Sequence, residues 1–367
     1  MKKRLFLGLL AVAAVSFTAC QKDEVISQMP KDQAIEFGTY LGRGAQTKGS
    51  VITTTELQTQ GFGVYAYYTG QSAMSAYSIP AVPNFLNNEK VSGADWSYTN
   101  TKYWPNTPGD KISFYAYGPY DGANDNAIAL ATGAEKKPVL TYTVNADIAK
   151  HMDVLFAPAQ ENFTKPASGT KVDMKFYHAL SRIGFKVNTA ADYSAEGVTI
   201  TLKNVTLNGK FYTSADMDLG TAGINTTGTP AVFSSVKDNW AAQVTPGSPV
   251  SFVYFNGTQD VAYKANTDAL STDDDPVDVN GSKGYIMVIP QNFESTDKIE
   301  LSVSYDLTIT SSSFTSSNTV SKSINFNFEA GKAYTFLITI GGLQKVEFTA
   351  DVNNWQDGGT DDSFTWN

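Results

Sequence analysis

Apolar and polar residues alternate along much of this chain, and a period of two predicts β-strands rather than helices. The longest unbroken alternation runs from Ile299 to Thr310. It predicts a strand with one face in a core and the other in water. Three more alternating segments follow after short turns, and their apolar positions are Val320, Ile324, Phe326 and Phe328, then Tyr334, Phe336, Ile338 and Ile340, and finally Val346, Phe348, Ala350 and Val352. Strands joined by such short turns predict an antiparallel assembly.

The N-terminal half carries the same pattern with more aromatic residues. Gly61 to Tyr68 and Ile112 to Tyr117 are rich in Phe and Tyr, which suit a pleated and half-buried surface. The stretch between them, Thr69 to Pro108, is punctuated by Gly and Pro and is typical of an irregular surface excursion. Because no strong helix of ordinary length is predicted anywhere, the expected fold class is all-β.

A change of parity marks the expected boundary between two groups of strands. Apolar positions from Val172 to Leu180 share one parity, whereas those from Ile183 to Val187 hold the other. Such a flip predicts a bulge, or a crossing from one sheet or domain to the next. Residues 166–170, just before it, contain Pro and Gly, and chains beyond about 250 residues usually divide. We therefore predict two tandem β-sandwich domains over 44–168 and 169–367.

Residues 1–19 have the composition of a secretory signal peptide. A positive start at residues 2–4 precedes an apolar run from Leu5 to Phe17, shorter than the ~20 residues that span a membrane. Phe17-Thr18-Ala19-Cys20 then resembles the bacterial lipobox, with Phe in place of the usual Leu at its first position. The resemblance implies cleavage before Cys20, the only cysteine in the chain, and acylation of its thiol. The alternative is a chance cysteine in an ordinary signal peptide.

The residues after the cysteine, Gln21 to Glu24, resemble the short acidic export signal of Bacteroidales lipoproteins. That signal directs a lipoprotein to the outer face of the outer membrane, where several acyl chains hold it durably. The alternative interpretation of these residues is a solvated tether. We predict a lipid-attachment site at Cys20 and a surface-exposed location.

Charge and cysteine content narrow the function classes. Without the three basic residues of the signal peptide, 24 Lys and Arg face 36 Asp and Glu, and the formal charge is −12. An acidic chain of this kind stays soluble and lacks the basic face that nucleic acids require, so no nucleic-acid partner is predicted. One cysteine allows no internal disulfide, so stability must come from burial.

Candidates for catalysis or metal binding are few. His151 and His178 are the only histidines, each occurs alone, and no nucleophile elbow, phosphate loop, zinc motif or cysteine cluster is present. Asp273-Asp274-Asp275 lacks the spaced ligands and glycine of a calcium loop, which favours a solvated acidic loop. We predict a non-enzyme with no cofactor and no metal site, and interpret His178 as a packing residue. Only carboxylate pairs that meet in the fold are left open by the sequence.

The sequence from Phe176 to Ile183 resembles the F-x-H-A-L-[SA]-[KR]-[IV] stretch of one protein family, the fimbrillins, which are the pilins of Bacteroidales type V pili. Tyr103-Trp104-Pro105 with Ile112 to Tyr117 is similar to its W-P…F-x-A-Y segment. The other matching segments are Asp153 to Ala157, Ala330 to Tyr334 and Val352 to Trp355. Together these segments extend the resemblance over nearly the whole chain after the signal.

The resemblance implies a fold and a function. Fimbrillins have two transthyretin-like Greek-key sandwich domains and reach the outer membrane as lipoproteins. A surface arginine-specific protease then removes the N-terminal segment with its first strand, and a strand from a neighbouring subunit refills the edge. The chain is therefore expected to be a stalk or tip subunit of an adhesive fimbrium. Its implied partners are other fimbrial subunits, the outer membrane before processing, and this protease.

Residues of this chain match the parts of that process. Ile35 to Thr39 alternates and is the candidate first strand, and Arg43 follows in a glycine-flanked segment open to proteolysis. Cleavage between Arg43 and Gly44 would detach 20–43 as a propeptide and leave a sheet edge, which is a template for another chain. The predicted donor strand has the apolar row Val346, Phe348, Ala350 and Val352, with Gly358-Gly359 and the terminal Ser363 to Trp366 adding reach. The alternative for Arg43 is an ordinary surface arginine.

Two other functions remain open at this point. A membrane-anchoring pilus subunit would keep its lipid and would need no cleavage. A surface glycan-binding lipoprotein would also be acidic, all-β and anchored through Cys20. Its sugar-stacking platform would consist of Trp96, Tyr98, Tyr103 and Trp104.

Overall fold

The computed structural model describes residues 32–41, 52–120, 127–229, 232–265, 277–278, 284–355 and 360–366. Within these ranges the chain is mostly strand, which confirms the predicted all-β class. The strands are β1 (Phe37–Leu41), β2 (Phe62–Gly70), β3 (Leu86–Val91), β4 (Lys111–Gly118), β5 (Ile128–Gly133), β6 (Lys136–Thr143), β7 (Leu155–Phe163), β8 (Val172–His178), β9 (Ser181–Thr189), β10 (Val198–Gly209), β11 (Ser214–Asp218), β12 (Ile224–Thr227), β13 (Val232–Val236), β14 (Trp240–Val244), β15 (Val250–Asp260), β16 (Val277–Asp278), β17 (Ile286–Val288), β18 (Gln291–Phe293), β19 (Ile299–Ile309), β20 (Phe314–Ile324), β21 (Phe326–Phe328), β22 (Lys332–Ile340), β23 (Val346–Asn354) and β24 (Thr360–Trp366). The helix α1 (Thr54–Gln60) and 3-10 turns at Met74–Ala76, Ile148–Lys150, Ser194–Glu196 and Thr310–Ser312 accompany them.

Two sheets form the first sandwich. One has six strands in the order β1-β8-β7-β4-β2-β3, and the other has four in the order β14-β11-β6-β5. Both contribute side chains to one core that is rich in tyrosine, and its fully buried members include Tyr67, Tyr115, Tyr117 and Tyr142. Large aromatic side chains fill the space between the sheets and contribute most of the buried area there.

The six-stranded sheet is covered on its second face as well. Leu57 of α1 and the loop residues Trp96 and Trp104 pack there against Phe62 and Phe114. Because both faces are covered, β4 is buried continuously from Ile112 to Gly118 instead of at alternate positions. This second core is the one to which the N-terminal strand contributes.

The second sandwich contains the alternating segments of the C-terminal half. Its sheets are ordered β15-β10-β19-β20 and β16-β9-β22-β23-β24, and β17 also pairs with β9. β19 and β20 form a long hairpin in register from Ile299↔Ile324 to Ile309↔Phe314. Leu301, Val303 and Tyr305 of β19 point into the shared core, as the period of two predicts.

Strand pairing divides the chain differently from the predicted boundary at 168–169. β8 follows that boundary yet lies in the first sandwich, and so do β11 and β14. The Pro- and Gly-containing segment is a turn between two strands of one sheet: the Thr170 N–H donates to the Ala167 carbonyl and Gly169 has φ +82°. The crossing to the second sandwich comes at Ala179 and Leu180, between β8 and β9, where the parity flip lies.

Candidate functional site

The predicted first strand lies at the edge of the six-stranded sheet. β1 pairs in parallel with β8, in the register Phe37↔Val172 to Leu41↔Phe176, so the strand begins two residues later than the alternation suggested. The residues before it bond to the loop that precedes β4. The Ile35 N–H donates to the Lys102 carbonyl at 2.8 Å, and the Trp104 N–H donates to the Gln33 carbonyl at 2.9 Å.

The side chains of this segment complete a core. Ile35, Phe37 and Leu41 are 1%, 0% and 3% exposed. The Phe37 ring meets the rings of Tyr98, Phe114 and Phe62 edge to face, at centroid distances of 5.4, 5.9 and 6.3 Å. We call the surface that holds the side chains of Ile35, Phe37 and Leu41 the first-strand socket. It is lined by β8, by the second face of the sheet and by the loop around Tyr98.

Tyr98 ties the loop to the strand. Its hydroxyl donates to the Ile35 carbonyl at 2.9 Å and accepts from the Lys102 N–H at 3.0 Å. Burial raises the pKa of Tyr98, and the Lys102 N–H offsets part of that rise. The phenol therefore stays protonated and keeps donating at neutral pH.

The predicted modification sites are outside the described residues. Cys20 precedes them, and Arg43 and Gly44 lie in the span between Leu41 and Ile52. The chain therefore passes directly from the edge strand into the span that contains the predicted cleavage site.

The predicted donor row belongs to this chain's own core. Phe348, Ala350 and Val352 are 1%, 0% and 8% exposed in the second sandwich, and Val346 is half-buried against it. β23, which carries all four, is hydrogen-bonded to β22 on one side and to β24 on the other. The row can serve a neighbour only after β23 has left both partners. β24, by contrast, is the outermost strand of its sheet.

The loop that carries Trp96, Tyr98, Tyr103 and Trp104, here called the aromatic loop, does not form an open platform for a sugar. Trp96 and Trp104 are 7% and 2% exposed, and the Trp104 ring lies edge to face with Phe114 at 6.0 Å. Tyr98 is largely buried under the first strand, and only Tyr103 is substantially exposed among the four predicted stacking residues. The sugar-stacking alternative therefore has no support from Trp96 and Trp104, because both rings cover a core.

Both histidines are buried and have structural partners. His178 Nδ1 lies 2.9 Å from a carboxylate oxygen of Asp153, and its ring stacks on Trp355, which confirms the packing interpretation. His151 Nδ1 accepts the Met287 N–H at 2.9 Å, and Nε2 lies 2.7 Å from the Asn145 carbonyl. Nε2 must then carry the proton, and burial lowers the pKa of His151.

The described part of the chain contains neither a metal-binding cluster nor a membrane-spanning helix. No group of three or more His, Cys, Asp or Glu residues is arranged to hold a metal ion in that part of the chain. No helix there has the length and apolar character needed to cross a membrane. Asp273-Asp274-Asp275 lies outside the described residues.

Comparison with known proteins decides the family. A family model described as fimbrillin-like matches residues 50–355, a span that begins after Arg43 and ends at Trp355. The chain belongs to the fimbrillin-like family. This fimbrillin is 25% identical over 390 aligned positions to the fimbrium subunit Fim1C of Phocaeicola vulgatus, with 97% of this chain and 96% of that protein covered. Its fold is similar to the crystal structure of a fimbrial protein from Bacteroides vulgatus, at a TM-score of 0.62 and 22% identity, with 88% of this chain and 100% of that chain covered.

Membership confirms the resemblance that the sequence segments carried. It places the fimbrillin in a family of fimbrial structural proteins rather than in a family of enzymes. The family segments recognised in the sequence contain Asp153, His178 and Trp355, but the sequence did not predict that these three side chains are in contact. The parity flip marks the crossing between the two sandwiches, but it does not indicate which side chains from distant segments meet there.

Proposed function

We propose that this fimbrillin is a structural subunit, stalk or tip, of an adhesive cell-surface fimbrium. It is exported as a lipoprotein through Cys20, cleaved between Arg43 and Gly44, and assembled by strand exchange. The observation that carries the proposal is the position of β1. It is an edge strand with a buried apolar row, and the chain continues from it into the span that contains Arg43.

The free energy of burying apolar side chains in the first-strand socket favours the entry of another strand after β1 has left. Burying one large apolar side chain stabilises a fold by ~1.5–3 kcal/mol, so three amount to roughly 5–9 kcal/mol. A typical domain has a net stability of only about 5–15 kcal/mol. Removing Ile35, Phe37 and Leu41 therefore leaves a body whose exposed socket gains much of its missing stability when another strand enters.

The backbone of β8 supplies the second part of recognition. β1 occupies its outer side from Val172 to Phe176, and that side becomes an open edge when β1 leaves. An incoming strand bonds to this edge through its main chain, and its alternate side chains enter the socket. The aromatic walls of Tyr98, Phe114 and Phe62 favour an aromatic residue at the place of Phe37.

The proposed order of events assigns each partner a step. Acylated Cys20 holds the precursor in the outer membrane, facing outward. A surface arginine-specific protease then cuts after Arg43 and releases the lipid together with β1. Other fimbrial subunits provide and receive strands, and the fimbrillin itself performs no catalysis and uses no cofactor.

Controlled proteolysis tests the proposal. The chain beginning at Gln21 is purified as a precursor and treated with an arginine-specific protease, with and without the substitution Arg43→Ala. Cleavage of the parent is expected to give a ladder of oligomers with a new N-terminus at Gly44, whereas Arg43→Ala stays monomeric. Lys48→Ala is the matched control, since it removes a nearby charge and keeps the arginine. Oligomers of unchanged size and yield from Arg43→Ala would contradict cleavage at this site.

N-terminal sequencing of the protein from cells separates the subunit types. A free start at Gly44 identifies a processed stalk or tip subunit. A lipid-blocked start at Cys20 in assembled fimbriae identifies a membrane-anchoring subunit instead. The glycan-binding alternative has no observation in its favour, because Trp96 and Trp104 are buried.

A further inference from the structure

Five side chains form a continuous row where the two sandwiches meet. We call Tyr285, Arg182, Trp355, His178 and Asp153 the junction cluster. The Arg182 guanidinium lies over the rings of Tyr285 and Trp355, at 4.5 and 5.3 Å from their centroids. The row continues from Trp355 to His178, whose ring centroid lies 4.1 Å from that of Trp355. It ends at the fully buried Asp153, which bonds to His178.

The junction cluster holds the end of β23. Trp355 is the residue that follows β23, it is 4% exposed, and its backbone N–H donates to the Gly331 carbonyl at 2.9 Å. β23 is also fixed along its length, because Phe348 and Ala350 are core residues and both edges of the strand are paired. β24 begins beyond Trp355, and among the described strands its partner is β23.

The junction cluster also binds Ile52, which follows the predicted cleavage site in the chain. The Ile52 N–H donates to an Asp153 carboxylate oxygen at 2.9 Å, and Ile52 is 5% exposed. Ile52 is followed by Thr53, which caps α1. Ile52 and Trp355 are therefore attached to one buried row of side chains, Ile52 through Asp153 and Trp355 through His178.

We propose that Trp355 is the positioning residue for strand exchange: it fixes the point at which the exchanging strand is attached, so that β24 leaves and β23 stays. This inference rests on the proposed strand-exchange function and assigns the donor within it. It makes Val346, Phe348, Ala350 and Val352 part of the folded body, contrary to their predicted role as the donor row. Trp355 contacts His178, Arg182 and the Gly331 carbonyl, and it lies in the chain between β23, which stays, and β24, which leaves.

Disulfide locks distinguish the two strands. The processed chain contains no cysteine, because Cys20 is the only one and precedes Arg43. The pair Thr339→Cys and Glu347→Cys joins backbone partners of β22 and β23, and the pair Thr349→Cys and Thr365→Cys joins partners of β23 and β24. Each is oxidised in the precursor, cleaved after Arg43, and compared for oligomer yield before and after reduction.

The lock between β22 and β23 is expected to leave the yield unchanged. The lock between β23 and β24 is expected to reduce it at least tenfold, with recovery on reduction. A reversible block by the first lock, or free assembly with the second, overturns the assignment of β24. If the parent without either lock forms no oligomers after cleavage, strand exchange itself fails, and the assignment fails with it.

Hydrogen exchange tests Trp355 without assembly. Trp355→Ala is expected to raise the exchange rates of the β23 amides at least tenfold, whereas Trp355→Phe keeps an aromatic stack and stays near the parent. The amides of β10, in the opposite sheet, are the internal control for global destabilisation. Equal acceleration of β23 and β10 in Trp355→Ala, or parent-like β23 amides in that variant, would overturn the positioning role.

Discussion

The imidazole of His178 lies parallel to the indole of Trp355, with 4.1 Å between ring centroids and 5° between ring planes. Through Nδ1, which lies in the plane of the ring, the imidazole bonds to Asp153, whose carboxylate also accepts the Ile52 N–H. A buried carboxylate with two donors is satisfied where it lies, and its removal leaves both donors without an acceptor. This arrangement makes the junction between the sandwiches sensitive to single substitutions.

Replacing Asp153 is expected to be strongly destabilising. Breaking a buried pair by removing one partner costs about 3–5 kcal/mol, because the remaining group stays buried without its partner. We expect Asp153→Ala to lower the free energy of unfolding by that amount in urea titrations of the uncleaved chain. Asp95→Ala is the control, since Asp95 is exposed in the aromatic loop and should change stability by less than about 0.5 kcal/mol. Equal effects of the two substitutions would contradict the structural role of the pair.

Stability should depend on pH through His151. Burial lowers the pKa of this imidazole in the folded chain, below the ~6.5 of an exposed histidine. Its contribution is therefore complete above pH ~6.5 and is lost as the pH falls, since the unfolded chain binds a proton that the native chain excludes. The loss approaches about 1.4 kcal/mol per pH unit. His151→Gln should flatten the unfolding free energy between pH 7 and 5 relative to the parent, and an unchanged slope would contradict the assignment.

Alternation predicted strands well because the period of two is a local property. Leu301, Val303 and Tyr305 share a buried face in the structure just as they share a parity in the sequence. The same pattern cannot state which core a face enters. Alternation places Phe348 and Ala350 in one apolar row, and only the structure shows that this row lies in the chain's own second sandwich, because register and partner strand are set by tertiary contacts.

Other features carried weaker signals. The helix α1, which was not predicted from the sequence, starts at a capping box in which Thr53 and Glu56 bond to each other's backbone, and that pair of residue types three apart is a signal that would have predicted it. The parallel pairing of β1 with β8 had no signal, because the two strands are far apart in the chain and neither pattern encodes direction. The sequence left two interpretations of the aromatic loop open, because tryptophans near Gly and Pro fit a ligand platform and a core cover equally well.

The socket can be tested with a single truncation in the uncleaved chain. Phe37→Ala removes a fully buried ring from contact with three others and is expected to lower the free energy of unfolding by about 3–5 kcal/mol. Glu36→Ala is the matched control. Glu36 is the neighbour of Phe37 in the sequence, but its side chain is exposed, so the substitution should change the free energy of unfolding very little. After cleavage at Arg43 both variants lose the substituted residue and should unfold like the parent. A persistent difference after cleavage would show that residues 36 and 37 had not been removed.

A glycine at the junction provides the last test. Gly331 has φ +69°, and a Cβ there would lie 2.7 Å from a Val236 methyl carbon and 3.4 Å from the His178 carbonyl. Gly331→Ala therefore combines a left-handed backbone, at about 1–2 kcal/mol, with a clash inside the core. We expect a loss of at least about 2 kcal/mol in thermal or urea unfolding, since the Gly331 carbonyl also holds the Trp355 N–H. Gly247→Ala is the control, because nothing lies within 4 Å of its Cβ and reduced freedom of the unfolded chain should make it neutral or slightly stabilising. Similar unfolding of the two variants would mean that the backbone at Gly331 can shift without disturbing the attachment of β23.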